Sequence, residues 1–86
     1  MNKYYFTYGT SHKMPYVGGW TEIEAETLKG ATELFKLVYP SNESTINCAG
    51  IYSEAQFKQT DMFLNGNFGV GCREKIKLNV EVSNAY

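Results

Sequence analysis

The chain predicts an α+β fold: a single mixed four-stranded sheet with two helices on one face, in the order β-β-α-β-α-β. Three observations carry that reading. Short runs of β-forming residues alternate in polarity and stop at glycine or proline. Leu28, Ala31, Phe35 and Val38 recur at spacings of three and four. Ser53-Glu54-Ala55-Gln56 has the form of a capping box, the sequence mark of a helix start. With 86 residues, one domain spanning 1–86 is expected.

Lys3 to Tyr8 reads as the first strand. Tyr4, Phe6 and Tyr8 fall on one side, Tyr5 and Thr7 on the other. Both sides are partly apolar, which marks a strand that is central or covered twice. Thr10 to Gly19 is a long loop holding Pro15 and two glycines. Trp20 to Ala25 is the second strand, an antiparallel neighbour of the first. Thr27 caps a helix that Leu34 widens on its apolar side and Pro40 ends. Ile46 to Tyr52 is a compact apolar run and reads as a buried third strand. The capping box at Ser53 opens a second helix reaching about Phe63. Ile76, Leu78, Val80 and Val82 alternate with Lys75, Lys77, Asn79 and Glu81, the cleanest period-two pattern in the chain.

Bulk composition removes several function classes. Net charge is −1, without the basic excess of a protein that grips a nucleic-acid backbone, so no direct nucleic-acid grip is expected. Two cysteines and one histidine cannot supply the four ligands of a structural zinc site. No metal and no cofactor is expected. No run reaches the 18 or so apolar residues of a membrane span. The strand pattern starts at Lys3 and leaves no room for a signal peptide, so a cytoplasmic setting with reduced thiols is expected. A chain this short gains from self-association, and a homo-oligomer is plausible.

Glycine and aromatic residues concentrate in Tyr4–Gly9, Gly18–Trp20 and Asn65–Cys72. Glycine admits close backbone approach, and aromatic rings offer flat contact surface. The stretch before Trp20 and the loop after Leu64 are expected to converge into one exposed rim. The candidate ligand-binding residues are Tyr8, His12, Lys13, Trp20, Asn67 and Arg73. Aromatic rings would stack on a base, while glycine-rich backbone, Lys13 and Arg73 would meet phosphates. Tyr16, Trp20 and Phe68 are the candidate interface anchors. Each has a plainer alternative. His12 and Lys13 fit a solvated loop, Trp20 a plug at the core's edge, and Tyr8 a core tyrosine with a bonded hydroxyl. The Asn65–Gly71 loop matches neither a P-loop nor a dinucleotide fingerprint. Glu22 and Glu24 share a strand face, but two exposed carboxylates explain that pattern without acid–base chemistry. No catalytic residue is assigned.

Taken together, Tyr5-Phe6-Thr7-Tyr8-Gly9, Gly19-Trp20-Thr21-Glu22-Ile23-Glu24-Ala25, Asn47-Cys48-Ala49 with Tyr52, and Gly66-Asn67-Phe68-Gly69 with Cys72 resemble a family of short uncharacterised proteins of phages, prophages and mobile elements of Gram-positive bacteria. The resemblance implies a setting and no mechanism. By analogy with other short phage accessory proteins that lack enzyme motifs, the expected role is to counteract host defence by non-catalytic binding. The favoured partner is a small nucleotide-like signalling ligand, held by sequestration. The alternative is a host defence protein, such as a CRISPR nuclease, inhibited by direct contact.

Overall fold

The computed structural model describes residues 1–42 and 44–77. The order is β1 (Asn2–Thr7), β2 (Trp20–Ala25), α1 (Leu28–Val38), β3 (Gly50–Ser53), α2 (Glu54–Lys58), α3 (Met62–Asn65) and β4 (Cys72–Lys77). The four strands form one mixed sheet in the order β3-β1-β2-β4. β1 runs antiparallel to β2, from Asn2↔Ala25 to Thr7↔Trp20, and antiparallel to β3, from Tyr4↔Ser53 to Thr7↔Gly50. β4 lies parallel to β2, with Ile23 beside Ile76. The fold is α+β, as its strand patterns predict.

Strand geometry sends successive side chains to opposite faces. On one face Phe6, Tyr8, Ile23 and Ala25 join Ala31 and Phe35 of α1 in the core. The rings of Phe6 and Phe35 stack at 4.6 Å. On the other face Tyr5 stacks on Phe57 of α2 at 4.3 Å, and Trp20 meets Phe57 edge-on at 4.8 Å. The helices therefore cover opposite faces, which corrects the expectation that both share one. The cause lies in β1. Its two faces are both aromatic, and each needs its own cover.

Helix α1 begins as its sequence directs. Thr27 Oγ1 accepts from the Gly30 N–H at 3.0 Å, and the Tyr39 N–H bonds to the Phe35 carbonyl at 2.8 Å before Pro40. Only Ala31 and Phe35 of its apolar stripe are buried, while Leu28 and Val38 stay exposed. The third strand is shorter than the apolar run from Ile46. It starts at Gly50 because β1 ends at Thr7, so upstream residues have no ladder to join. It is also a half-buried edge strand, not a buried one. Ile46 and Cys48 pack against the core from a bend.

The capping box is present in both directions, Ser53 Oγ with the Gln56 N–H and Gln56 Oε1 with the Ser53 N–H. The helix it opens ends at Lys58, short of Phe63. Thr60 Oγ1 donates to the Phe57 carbonyl at 2.7 Å, a side-chain bond that competes with helix propagation. The chain turns and resumes as α3. The expected run of strand four through Leu78, Val80 and Val82 lies outside the described residues.

Phe35→Ala and Phe57→Ala are each expected to cost about 3–5 kcal/mol, because each empties a fully buried aromatic site. Urea unfolding of both variants checks this. A small loss for Phe57→Ala alone would mean that the α2 face contributes little to the core.

Candidate functional site

The two glycine-rich segments meet at one end of the sheet, where β2 begins. Gly19 donates its N–H to the Asn67 carbonyl at 2.9 Å, and Trp20 donates to the Gly71 carbonyl at 3.3 Å. Gly18 and Gly19 have φ of +70° and +75°. A Cβ on Gly18 would sit 2.9 Å from the Asn67 carbonyl oxygen, and one on Gly19 would sit 2.6 Å from that of Gly71. Both positions therefore require glycine for conformation and for space.

Asn67 and Arg73 lock this seam. Asn67 Nδ2 donates to the Tyr8 carbonyl at 2.6 Å and to the Gly19 carbonyl at 2.9 Å. Arg73 Nη2 donates to the Val17 carbonyl at 2.5 Å, and its Nε reaches the Gly18 carbonyl at 3.4 Å. The guanidinium also lies 5.4 Å from the Tyr16 ring centre. These donors face carbonyls of the same chain. Both residues therefore have a structural role in the seam, which the ligand-binding expectation for them did not include.

Beyond the lock, the chain makes a two-residue hairpin. Asn67 and Val70 exchange N–H···O bonds of 2.8 and 3.2 Å. The turn residues, Phe68 and Gly69, have φ of +54° and +75°. Positive φ at both central positions is the signature of a type I′ turn, which normally takes Asn-Gly. Phe68 is the sole non-glycine residue with positive φ among the described residues. An L-residue there costs about 1–2 kcal/mol, yet Phe68 is 67% exposed. Its ring gains little burial to offset that cost. The segments joined here also carry Val17, Phe63 and Leu64, all exposed.

The remaining candidates scatter. Tyr8 is completely buried, its hydroxyl 2.6 Å from Thr21 Oγ1, so it offers no face to a ligand and is corrected to a core residue. Burial pushes that hydroxyl up to about 12, with the Thr21 bond opposing. Tyr16 packs edge-on against Tyr8 and Tyr39, under Arg73, and supports the rim from below. Trp20 is half-buried on the α2 face. His12 and Lys13 are exposed in the first loop. Lys13 lines a separate open groove of about 500 Å³ with Ser11, Met14, Pro40, Thr45 and Asn47. The six ligand candidates thus form no single pocket. Asn67, Phe68 and Arg73 come together with the backbone before Trp20, with Tyr16 beneath Arg73.

Among the described residues, no three His, Cys, Asp or Glu side chains cluster as a metal site, and no buried side-chain nitrogen or oxygen lacks a partner. Glu24 pairs with Lys77 at 3.8 Å. Burial, with Glu22 beside it, pushes the Tyr5 hydroxyl well above its ordinary range. Tyr39 is raised likewise, first by burial and then by its hydrogen bond to Glu74. Cys48 and Cys72 are free thiols. Burial pushes Cys48 up to about 11. Within the described residues no helix is long and apolar enough to cross a membrane.

Sequence reasoning missed Val17, Phe63 and Leu64. It also passed over a usable signal: a phenylalanine before glycine, between Asn67 and Val70, in a slot that favours asparagine.

Two outcomes test this geometry. Gly19→Ala is expected to destabilise by about 2 kcal/mol or more, through positive φ and a backbone clash, whereas Gly69→Ala, with open space around it, loses about 1 kcal/mol. Chemical denaturation ranks them, and an equal loss would contradict the seam. Stability is also expected to fall with rising pH between about 9 and about 12. Cys48 and Tyr8 keep their protons to about 11 and 12 when folded, against 9 and 10 ordinarily, so the unfolded chain releases them first. Melting temperatures at pH 8 and pH 11 read this, and Cys48→Ala should remove the earlier part of the fall.

Comparison with known proteins adds no family: no family model, no curated protein and no solved structure matches the chain.

Proposed function

We propose that this protein acts by non-catalytic binding to another protein, with the Phe68 hairpin as its anchor. The single observation behind the reading is an aromatic side chain that is both conformationally strained and exposed. Strain at a residue that its own fold does not reward is a recognised mark of a functional position. Aromatic residues on a rigid support also make efficient contacts, because little side-chain freedom is lost on binding. Asn67, Arg73 and the Gly18–Gly19 backbone provide that support. Val17, Phe63 and Leu64 add apolar surface on the same segments.

The resemblance to phage and mobile-element proteins gives the target class. The partner is a host defence effector, such as a CRISPR nuclease, and binding blocks it. This reverses the order of the two expectations from sequence. Sequestration of a nucleotide-like ligand becomes the second reading, resting on the groove beside Lys13. Asn67 Nδ2 and two of the Arg73 donors, Nε and one on Nη2, are spent on backbone carbonyls, which weakens the support these residues give it.

Phe68→Asn separates the readings, because asparagine tolerates positive φ. It is expected to raise stability by about 1 kcal/mol, which is roughly 4–8 °C in melting temperature for a domain of this size. The same variant should lose at least about tenfold in affinity for the effector, since a central aromatic anchor contributes on the order of 2 kcal/mol. Cross-linking capture from defence-competent cells, wild type against variant, gives the comparison. Equal capture by both would sink the protein-binding reading. A melting-temperature rise with cyclic nucleotides, unchanged in Phe68→Asn and abolished by Lys13→Ala, would put the second reading in its place.

A further inference from the structure

Arg73 is the extra residue of a β-bulge. The β2–β4 ladder pairs Trp20 with Cys72 and then Thr21 with Glu74, so Arg73 has no partner across it. Bulges re-aim the side chains they carry and occur preferentially beside functional surfaces. Here the side chain runs to the seam that supports Phe68. Both residues flank Gly18: Arg73 Nε donates to the Gly18 carbonyl, and a Cβ on Gly18 would sit 3.2 Å from the Phe68 Cβ.

A guanidinium carries its N–H donors as forks. The side-on fork of Arg73, Nε with one Nη2 hydrogen, is held by the Gly18 and Val17 carbonyls. The end-on fork, Nη1 with the second Nη2 hydrogen, has no acceptor among the described residues, and Arg73 is exposed. Carbonyls are neutral, so the charge is unanswered as well. Among the described residues no carboxylate pairs with it. The adjacent Glu74 accepts from the Tyr39 hydroxyl instead. Segments 14–20 and 65–73, which build this rim, contain one charged residue between them, Arg73. A fork already oriented by its own fold loses little further freedom when a planar carboxylate meets it.

We propose that Arg73 sets the chemistry of the surface that Phe68 binds: an apolar recess for the ring, with an aspartate or glutamate at its edge that accepts from the end-on fork. This rests on the protein-binding reading and names the partner's side of that contact. Charge complementarity selects the occupant. A second copy docked rim to rim would bring another arginine and no acid, so the site belongs to a different protein.

Arg73→citrulline separates the two forks. Citrulline keeps Nε–H and one terminal NH2, and with them the hold on Gly18 and Val17. An oxygen replaces the other terminal group, and the charge is gone. The full chain is made by ligating residues 1–71 to a synthetic 72–86 at the Gly71-Cys72 junction. The probe is a phage-displayed library of random peptides, selected in parallel on the wild type, the citrulline form and Phe68→Asn. The wild type is expected to enrich peptides that set Asp or Glu beside apolar residues. The citrulline form should melt with the wild type, lose the acidic preference and keep the apolar one. Glu→Gln in the tightest wild-type peptide should weaken its binding about tenfold or more. That last measurement stands even where citrulline destabilises the fold. No enrichment on the wild type, an equal acidic preference on the citrulline form, or no loss with the Gln peptide overturns the proposal. Equal binding of the selected peptides by Phe68→Asn sinks the Phe68 anchor instead and leaves the Arg73 result standing.

Discussion

Tyr5 and Phe6 are adjacent in the chain and point to opposite sides of the sheet, and the rest of the architecture answers that constraint. A strand with rings on both faces cannot leave either face in water. Phe35 of α1 covers one ring and Phe57 of α2 covers the other, both in near-parallel stacks. The placement of β1 between β2 and β3 follows from the same need, since a central strand is shielded at its edges as well as its faces. Even the short α2 is intelligible on these terms. It has one buried residue to deliver, Phe57, and the Ser53 capping box starts it at the point where β3 ends.

The seam at the end of the sheet depends on this core. Asn67 can bridge the Tyr8 and Gly19 carbonyls only because β1 and β2 hold those groups in fixed register. Tyr8 is fixed in turn by its buried ring and its bond to Thr21. Rigidity therefore passes from the aromatic core through paired backbone to a loop that would otherwise be free. The hairpin tip is a turn whose base is held by side-chain and backbone bonds together, and that base can tolerate an unfavourable conformation at its apex.

Much of the fold was legible in the sequence because its signals are local. Period two marked β2, and the cap at Thr27 with the stop at Pro40 marked where α1 begins and the region where it ends. Gly18 and Gly19 permit close backbone approach, but the sequence alone does not say that the loop after Leu64 is what approaches them. What was illegible depends on partners distant in sequence. Nothing local says that Ile46–Ala49 lacks a neighbouring strand, because that is decided by where β1 stops. Nothing local says that Asn67 and Arg73 point inward, because their acceptors lie some fifty positions away in the chain. Polar residues in a glycine-rich loop look alike whether they bind a ligand or their own fold. The two-faced apolar character of β1 did point to cover on both sides, and the single-face arrangement of helices was inconsistent with it.

A chain of this length buries only about two-thirds of its unfolded surface, so its folded state stands on a narrow margin. Against such a margin, about 1–2 kcal/mol of conformational cost at one residue is a substantial fraction. Asparagine or glycine at position 68 would relieve it without disturbing any packing, since the ring is largely in solvent. The same chain uses asparagine at positions 65 and 67, immediately around the turn. The cost is confined to the apex, where the flanking Asn67–Val70 pair and the Arg73 contacts keep it from spreading into β2 and β4. An unfavourable conformation that is localised, braced and easily avoided finds little compensation among the described residues. The physical case for an external contact at Phe68 rests on that imbalance rather than on exposure alone, which many surface residues share.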